Sequence, residues 1–427
     1  MSPSKSSKSW PLPFAKPEEV GFSSARLAHL RPTMQKYIDN QEVPCMITLV
    51  ARHGKIVHFE AQGYMDIESK RPIRKDAIFR MFSNSKPITG VATMMLYEDG
   101  LLSLDDPISK YVPTFKNPRL SNMVGGGMGD PAQTDVPARR EITVRDCLRN
   151  TTGLAMVSRL PVQAMTRYQD VMVKARLISG PEEKRAKTIR EMVENHGSLP
   201  LSANPGTEWQ YHVGYPVIST VLEIVSGMTL DKLYKERIFK PLKMKDTSFY
   251  LNHDQLGRFT TSYRLVQEGG KWKMSVADRP ETSEKVLGPK NWFCGGGDRG
   301  GVLSTISDYA RFVQMLLNGG ELDGERILGR KTVELMTSNH TRDIPIPMLG
   351  HGYGFGMGVE VRIEAKANPL IRSIGSYGWG GAAGTRYFAD PKEDFFAICF
   401  TQLMGRGMIP TGNYVQDMER IVYQALI

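Results

Sequence analysis

One stretch of this 427-residue chain, residues 79–100, limits the fold more than any other, because its pattern specifies a helix and a chemistry together. Pro87 falls in the first turn of the helix, where its missing N–H costs nothing. Gly100 stands where a glycine commonly ends a helix. Apolar residues recur between them at the helical spacing of 3.6 residues, at Ile88, Val91, Ala92, Met95 and Leu96. The stretch therefore predicts a helix that begins near Ser83.

Ser83 and Lys86 are three residues apart at the entrance of this helix, so their side chains lie on one face. A serine hydroxyl becomes a nucleophile when a neighbour takes its proton, and an amine does so only when it is neutral. Moving a lysine pKa from about 10.4 to near 7 requires roughly 4 kcal/mol, which burial or a second cation can supply. The pattern alone is weak evidence, since it also occurs from Ser2 to Lys5 and also fits a helix-capping serine followed by an exposed lysine.

The composition is that of a globular protein. Hydrophobic residues make up 41% and charged residues 23%, and the length allows a large core or two subdomains. No apolar run approaches the roughly 20 residues that a membrane span needs, so we expect no membrane partner. Residues 1–16 are rich in Ser, Lys and Pro and lack the apolar segment of a secretory signal. We therefore expect a cytoplasmic location.

The distribution of charge argues against nucleic-acid binding, and the spacing of histidines and cysteines argues against metal binding. The net charge is +10, but basic residues are interspersed with acidic ones, so we expect no nucleic-acid partner. The eight histidines and four cysteines show no ligand spacing, so we expect neither a metal ion nor another cofactor. Cys45 and Cys399 lie in apolar, strand-like runs and are predicted to be buried thiols. The oligomeric state stays open, a homo-oligomer included.

Helix and strand signals are distributed unevenly along the chain. A helical pattern follows Ser23, and strand-like runs at residues 45–52 and 55–63 are joined at His53-Gly54 as a hairpin. Strand signals return only near the end, at residues 352–361 and twice between residues 372 and 401. Helices are predicted in the middle of the chain, at residues 144–148, 162–178, 187–194 and 217–225. This order predicts an α/β (α+β) fold in which a mainly antiparallel sheet, built from both ends of the chain, is flanked by helices.

The same pattern suggests how the chain is divided. We expect a flexible arm at residues 1–18 and one catalytic unit at residues 19–427. Its sheet part would comprise about residues 19–80 and 241–427, and its inserted helical part about residues 81–240. We expect the loops at residues 113–140 and 250–292 to shape the pocket. The glycine-rich run at residues 124–139 is interpreted as part of a surface loop, because it lacks the features of a phosphate-binding loop.

Two distant segments contain groups that would complete a site around Ser83. Tyr211 follows a turn at residues 204–207, and its phenol could pass a proton; a packing role is the alternative. Residues 376–385 contain four glycines beside strand-like runs. If they form an edge strand, two of its free N–H groups could make an oxyanion hole, whereas a tight hairpin without a ligand is the alternative.

Three motifs in this order resemble the superfamily of class C β-lactamases and penicillin-binding proteins, and more closely its esterase branch, the family VIII carboxylesterases. They are Ser83-x-x-Lys86, Tyr211 in its Pro-Gly-Thr context, and Trp379-Gly380-Gly381. Residues 100–107, 150–154 and 300–309 match the same pattern. The resemblance covers roughly residues 20–425, and the combination is far more specific than any one motif. It implies the fold of the serine β-lactamases and D-Ala-D-Ala peptidases.

The resemblance also implies a role for each matched residue. Ser83 would be the acyl-enzyme nucleophile, Lys86 would hold the proton network, and Tyr211 would be the general base or proton shuttle. The backbone N–H groups of Ser83 and Ala382 would bind the oxyanion, and substrate would contact Trp379, Gly380 and Gly381. Metal-free chemistry is implied as well.

This sequence departs from the lactamase pattern at two places. Tyr211-His212-Val213 replaces Tyr-x-Asn, so Val213 stands where the amide-binding asparagine would contact substrate. Trp379-Gly380-Gly381 replaces Lys-Thr-Gly, which removes a cation for the substrate carboxylate. Both changes favour a neutral acyl ester over an anionic lactam. His212 is interpreted as a second donor near the site or as a packed or exposed histidine.

These observations predict a serine carboxylesterase that hydrolyses short-chain acyl esters of small molecules, with weak β-lactam hydrolysis as a secondary activity. Three alternatives stay open: a β-lactamase or D-Ala-D-Ala peptidase, an acyltransferase to an alcohol, and a catalytically silent ligand-binding relative. No Gly-x-Ser-x-Gly motif is present, which argues against the α/β-hydrolase solution.

Overall fold

The computed structural model describes residues 11–121, 134–154, 172–175, 177, 186–288, 290, 292–364, 371–408 and 413–427. Its helices are α1 Ser24–Leu27, α2 Leu30–Asp39, α3 Ser85–Glu98, α4 Val144–Leu148, α5 Ile189–Gly197, α6 Gly214–Ser226, α7 Leu230–Tyr234, α8 Glu284–Leu287, α9 Ile306–Leu317, α10 Arg330–Met336 and α11 Tyr414–Gln424. Its strands are β1 Cys45–Arg52, β2 Lys55–Asp66, β3 Arg71–Pro72, β4 Phe79–Arg80, β5 Arg119–Ser121, β6 Thr134–Pro137, β7 Ser262–Glu268, β8 Lys271–Asp278, β9 Leu303–Ser304, β10 Glu321–Leu322, β11 Glu325–Arg326, β12 Tyr353–Phe355, β13 Glu360–Arg362, β14 Tyr377–Gly380, β15 Arg386–Asp390, β16 Phe395–Phe400 and β17 Leu403–Met404.

The main sheet joins the two ends of the chain, as the sequence predicted. Its eight strands follow the order β12-β13-β14-β15-β16-β1-β2-β3, and neighbouring strands are antiparallel. At its centre, Thr48 of β1 lies opposite Cys399 of β16. The β1–β2 hairpin turns at His53 and Gly54, whose φ angles of 50° and 72° are those of a tight two-residue turn. The predicted fold class is confirmed.

Helix α3 lies in the interior, and every residue from Ser85 to Leu96 is buried. Such all-round burial is expected of a helix that other elements cover on every side. Gly90 allows one of these contacts, because a Cβ there would lie 2.1 Å from the Met357 carbonyl oxygen. The helix ends before Gly100, which has a φ of 70°, as predicted. Ser83 lies just before α3, in the 3-10 turn Phe82–Asn84.

The helices predicted for the middle of the chain are found wherever the structure describes that part. Helix α4 matches its prediction, and Thr143 and Asp146 form a capping box at its start. Helices α5 and α6 correspond to the predictions at residues 187–194 and 217–225. The predicted helix at residues 162–178 lies largely outside the described residues. The glycine-rich run is described only from residue 134 onwards, where β6 pairs with β5.

The prediction that strands return only near the end is wrong. Strands β7 and β8 form a hairpin within residues 250–292, and β17 extends it to a three-stranded sheet. Tyr263 and Leu265 of β7 are buried, but no residue of β8 is fully buried, so its sequence gives little apolar alternation. The single run predicted at residues 352–361 divides into β12 and β13, with Gly358 at a φ of 96° between them.

Part of the segment expected to be an arm is bonded to the sheet. Ala15 N–H donates to the Ile56 carbonyl over 3.0 Å, and Ile56 N–H donates to the Pro13 carbonyl over 2.7 Å. Residues 1–10 lie outside the described part of the chain. Among the described helices, none combines the length and the apolar character needed to span a bilayer.

A buried ion cluster ties α11 to the sheet. Arg372 donates to Glu360 of β13 over 3.0 Å and also to Glu419 of α11, and both ion pairs are 1% exposed. Arg386 of β15 adds a second donor to Glu360 over 2.6 Å. Burial raises the pKa of Glu360, but the charges of Arg386 and Arg372 outweigh burial and hold the pKa below its usual value. The cluster therefore keeps α11 against the sheet through charge.

Replacing Arg372 with Met is expected to lower the free energy of unfolding by about 3–5 kcal/mol, because two buried carboxylates lose their shared cation. Unfolding in urea measures the loss. The control is Arg420→Ala, which removes an exposed arginine paired with Asp417 at 2.7 Å and should cost less than about 1 kcal/mol. Equal losses in the two variants would contradict the prediction.

Candidate active site

Ser83 and Lys86 are in hydrogen-bond contact. Lys86 Nζ lies 3.0 Å from Ser83 Oγ; Lys86 is fully buried and Ser83 is partly exposed. Phe82, just before the serine, has a φ of 46°, a conformation that is strained for a bulky residue. Strain of this kind is commonly found at functional sites. The nucleophile and amine predicted from the sequence are thus brought together.

The segment before β9 passes directly against the nucleophile. Gly297 has a φ of 104°, and a Cβ there would lie 2.4 Å from the Phe82 carbonyl carbon and 2.6 Å from Ser83 N. Ser85 Oγ fixes the same approach, since it donates to the Phe82 carbonyl over 2.7 Å and accepts from Val302 N–H over 3.0 Å. Glycine is therefore required at position 297 for both its conformation and its size.

The Lys86 amine has three polar neighbours. Besides Ser83 Oγ, it contacts His212 Nδ1 at 3.0 Å and donates to the Gly296 carbonyl. An ammonium has three donors, so these neighbours match its full capacity. The rings of Tyr211 and Tyr215 flank the amine, with centroids 4.6 Å and 5.0 Å from Nζ. The surroundings therefore satisfy a cation that has no access to solvent.

Tyr211 lies at the site, but its hydroxyl is directed elsewhere. Trp379 Nε1–H donates to the Tyr211 hydroxyl over 3.3 Å, and the Tyr211 ring stacks on Trp209 with a centroid distance of 5.4 Å. In the described part of the chain, no hydrogen bond joins this hydroxyl to Ser83 or to Lys86. Ser83 Oγ and Lys86 Nζ are therefore in contact, whereas Tyr211 approaches the amine with its ring and not with its hydroxyl.

The strand with Trp379, Gly380 and Gly381 is β14, which lies inside the sheet rather than at its edge. Its pairing with β13 stops at Gly378, so its second half is paired on one side only, with β15. Gly381 N–H donates to the Thr385 carbonyl over 2.6 Å, and a Cβ on Gly381 would lie 2.2 Å from the Met81 carbonyl oxygen. The free edge is thus confined to the second half of β14, and Gly381 lets this half lie against the segment that precedes Ser83.

The two backbone N–H groups predicted to bind an oxyanion have no hydrogen-bond acceptor among the described residues. Neither Ser83 N–H nor Ala382 N–H donates to another described residue, and Ala382 is exposed at the pocket. Val213, the third residue of the Tyr211 motif, caps the start of α6 and packs on the core. It is not among the described residues that line the pocket.

His212 lies at the site, in agreement with its interpretation as a second donor, and it contacts Asp298, which the sequence did not indicate. His212 has a φ of 81°, and its N–H donates to Asn150 Oδ1 over 2.8 Å. Its Nε2 lies 3.2 Å from Asp298 Oδ2, so the ring bridges Lys86 and a carboxylate. Asn150 belongs to the stretch at residues 150–154 that matches the family pattern. No spacing along the chain, however, indicates that His212 and Asp298 are in contact.

Asp298 is charged at neutral pH. Burial raises the pKa of this carboxyl, but the charge and hydrogen bond of His212, a hydrogen bond from Cys294 and the charge of Lys86 outweigh burial, so the pKa lies well below its usual range. Cys294 Sγ donates to Asp298 over 2.8 Å. Burial first, and then the Asp298 charge, raise the pKa of the Cys294 thiol well above its ordinary value, so the thiol stays protonated.

A pocket of about 510 Å³ opens above Ser83. Aromatic and apolar side chains from three parts of the chain form much of its wall: Tyr211, Met348, Leu349, Tyr353 and Trp379. Its arginines, Arg372 and Arg386, are bound to the carboxylates of the buried ion cluster. Contrary to expectation, no described residue of 113–140 or 250–292 lines it; residues around 348–353 and the start of α11 do.

Within the described ranges, no three His, Cys, Asp or Glu side chains are grouped to hold a metal ion.

A family model described as Beta-lactamase matches residues 30–417. The chain belongs to the beta-lactamase family. The superfamily predicted from the three motifs is thereby confirmed, and the chain is a serine hydrolase. A sheet made from both chain ends, with helices beside it, agrees with this family's fold.

Similar proteins include esterases. Protein Rv1367c of Mycobacterium tuberculosis is 31% identical over 365 residues, which cover 83% of this chain and 85% of that protein. Esterase EstB of Burkholderia gladioli is 30% identical over 234 residues, 55% of this chain and 54% of EstB. The solved structure of EstCE1, a hydrolase with promiscuous acyltransferase activity, aligns with a TM-score of 0.75 at 25% identity and covers 93% of this chain and 99% of EstCE1.

Replacing Gly297 with Ala is expected to lower the free energy of unfolding by about 2–5 kcal/mol, because strain at positive φ adds to a clash with the segment that contains Ser83. Urea unfolding of the full chain tests this. Gly270→Ala is the matched control: Gly270 has a φ of 77°, but a Cβ there would have no atom within 4 Å. The control should lose only about 1–2 kcal/mol, and an equal loss in both variants would show that the close approach costs nothing.

Proposed function

We propose that this protein is a carboxylesterase that hydrolyses neutral short-chain esters through an acyl-enzyme on Ser83. The observation that supports the proposal best is the 3.0 Å contact of Ser83 Oγ with the buried amine of Lys86, at a pocket with aromatic and apolar walls. A hydroxyl beside an amine is a nucleophile with its base. The similarity to EstB and EstCE1 supports ester substrates.

The proposed reaction has two acyl transfers. Ser83 Oγ bonds to the ester carbonyl carbon while neutral Lys86 takes the hydroxyl proton. The N–H groups of Ser83 and Ala382 stabilise the negative charge on the carbonyl oxygen, and such donors are commonly worth about 10²–10³ in rate. The carbon–oxygen bond to the alcohol then breaks, and the alcohol leaves with a proton. Water attacks the acyl-enzyme by the same route and regenerates Ser83.

Tyr211 has two parts in this scheme. Its ring, 4.6 Å from Lys86 Nζ, stabilises the ammonium that forms when the lysine accepts a proton. Its hydroxyl accepts from Trp379 and so keeps its own proton for donation. Because Tyr211 also lines the pocket, we assign it the delivery of a proton to the departing alcohol.

The charge of the pocket favours neutral substrates. Arg372 and Arg386, which line it, are bound to Glu360 and Glu419, so neither is a free cation for a substrate carboxylate. The motif Trp379-Gly380-Gly381 offers an indole where the lactamases have a lysine. A β-lactam acid would therefore lose its water of hydration without gaining an ion pair.

Ser83→Ala is expected to lower the hydrolysis of p-nitrophenyl acetate at least about 10³-fold, because the nucleophile is lost. A serine-directed phosphonate should add its mass to the wild type but not to this variant. Ser2→Ala, at the other Ser-x-x-Lys match, is the control and should retain full activity. Near wild-type activity in Ser83→Ala would refute the proposed function.

The preference for neutral acyl groups gives a second expected outcome. The kcat/KM for p-nitrophenyl butyrate should exceed that for nitrocefin at least about 100-fold, a difference of roughly 2.7 kcal/mol in transition-state binding. Parallel assays on one enzyme preparation measure it. Comparable values would favour the β-lactamase alternative.

Acyl transfer to an alcohol is the second candidate, because EstCE1 combines hydrolysis with transfer and both reactions share the acyl-enzyme. Adding methanol to the ester assay separates them. Methyl ester formed faster than free acid would identify a transferase, and free acid as the main product would identify an esterase.

A further inference from the structure

The proposed reaction requires the Lys86 amine to be neutral when Ser83 attacks the ester. A lysine amine ordinarily holds its proton at neutral pH, since its usual pKa is about 10.4. The three polar neighbours of Lys86 and its two flanking rings all suit an ammonium. An ammonium cannot take the serine proton. A base within reach of Lys86 must therefore accept its proton first.

His212 lies within reach of Lys86, and its imidazole can accept a proton. Its Nδ1 lies 3.0 Å from Lys86 Nζ, and its Nε2 lies 3.2 Å from Asp298 Oδ2. A carboxylate only accepts, so the Nε2 atom bears the ring hydrogen and Nδ1 offers its lone pair to the lysine. A neutral imidazole in this tautomer is ready to receive a proton at Nδ1 and to become a cation beside Asp298.

We propose that His212, oriented by Asp298, takes a proton from Lys86 and so leaves the lysine amine neutral when Ser83 attacks the ester. The inference rests on the proposed esterase function. His212 touches Lys86 and not the substrate, so it is a positioning residue that also holds a proton. His212 is the middle residue of Tyr211-His212-Val213, the position that the lactamase pattern Tyr-x-Asn leaves unspecified.

The proton transfers balance at each step. An N–H bond of Lys86 breaks and one forms at His212 Nδ1, so the combined charge of Lys86, His212 and Asp298 is unchanged. Neutral Lys86 takes the Ser83 proton as the acyl bond forms. Tyr211 then gives its hydroxyl proton to the departing alcohol, and the proton on Lys86 replaces it. Lys86 next takes a proton from the attacking water and returns it to Ser83 Oγ as the acyl bond breaks. His212 finally returns its proton to Lys86.

The surrounding structure holds this relay in place. His212 N–H is bonded to Asn150 Oδ1 at 2.8 Å, which fixes its backbone. Thr89 Oγ1 donates to the Gly295 carbonyl over 2.8 Å, and Gly295 N–H donates to Ser219 Oγ over 2.9 Å. These bonds fix the segment that leads to Asp298. The titratable groups around the imidazole come from α3, from the segment before β9 and from the start of α6: Lys86, Cys294, Asp298, Tyr211 and Tyr215.

The Cys294 thiol strengthens the role of Asp298. Its hydrogen bond to the carboxylate leaves that group fully charged, and the pKa of Asp298 lies well below its usual range. Asp298 therefore stays an anion throughout the pH range in which an imidazole titrates. This negative charge lies 3.2 Å from Nε2, while the other ring nitrogen, Nδ1, contacts Lys86.

The pH profile of His212→Asn tests the proposal. Asparagine tolerates positive φ and keeps an acceptor for Lys86, but it cannot take a proton. At pH 7 we expect kcat/KM for p-nitrophenyl acetate to fall about 10²–10³-fold. The loss should shrink to within about tenfold at pH 10, where hydroxide can reach the partly exposed Ser83 and replace the missing base.

Two further variants make the test specific. Asp298→Asn keeps the shape of the side chain but removes its charge, and it should lose about 10–100-fold at pH 7 with the same recovery at high pH. The matched control is His53→Asn, because His53 also has positive φ, at 50°, and also pairs with a carboxylate, Asp394, at 2.6 Å. It lies at the β1–β2 turn and should leave the profile unchanged. Unfolding curves check that each variant is folded.

Two outcomes would overturn the inference. A loss of activity in His212→Asn that is equal at every pH would assign the residue a structural role only. Nitrogen-15 NMR of histidine-labelled enzyme that finds His212 cationic from pH 5 to pH 9 would also exclude it as a proton acceptor. Failure of the proposed function is separate: the wild type would not hydrolyse the ester, or Ser83→Ala would remain as active as the wild type.

Discussion

The site depends on burying one amine. Lys86 lies at the start of a helix covered on all sides, where a charge without partners would be costly. Its polar neighbours come from three segments that are far apart in sequence: the turn with Ser83, the segment with His212 and the segment with Gly296. Satisfying one cation therefore requires these segments to meet, and where they meet, Ser83 lies beside Lys86 at the pocket.

Close backbone approach makes this meeting possible. Gly297 comes against the peptide bond between Phe82 and Ser83, and Gly381 comes against the Met81 carbonyl. A residue with a Cβ at either position would clash with backbone atoms. Ser83 is therefore held from two sides by glycine backbone, and neither its N–H group nor that of Ala382 donates to another described residue. The proposed oxyanion site depends on how tightly these segments pack.

The sequence predicted most of the fold and the contact of Ser83 with Lys86. Helix α3, the β1–β2 hairpin and the sheet from both chain ends follow from periodicity and turn residues, which act locally. The β7–β8 hairpin was missed because no residue of β8 is fully buried and so it shows little periodicity. Ser83 and Lys86 were found because they share a helix turn. The contact of His212 with Asp298 joins residues far apart in the chain and depends on tertiary packing, so no spacing rule could identify it.

The ion cluster around Arg372 has a consequence for changes in specificity. Its carboxylates and arginines belong to the pocket wall and also fasten α11 to the sheet. A substitution that enlarges the pocket at this wall, to admit a bulkier acyl group, would loosen the attachment of the carboxy-terminal helix. Under the proposed esterase function, acyl-chain selectivity and thermal tolerance would be coupled on this side, whereas the wall formed by Met348 and Leu349 can be reshaped without breaking an ion pair. For such an esterase, laboratory evolution toward larger esters would find its first successful changes there.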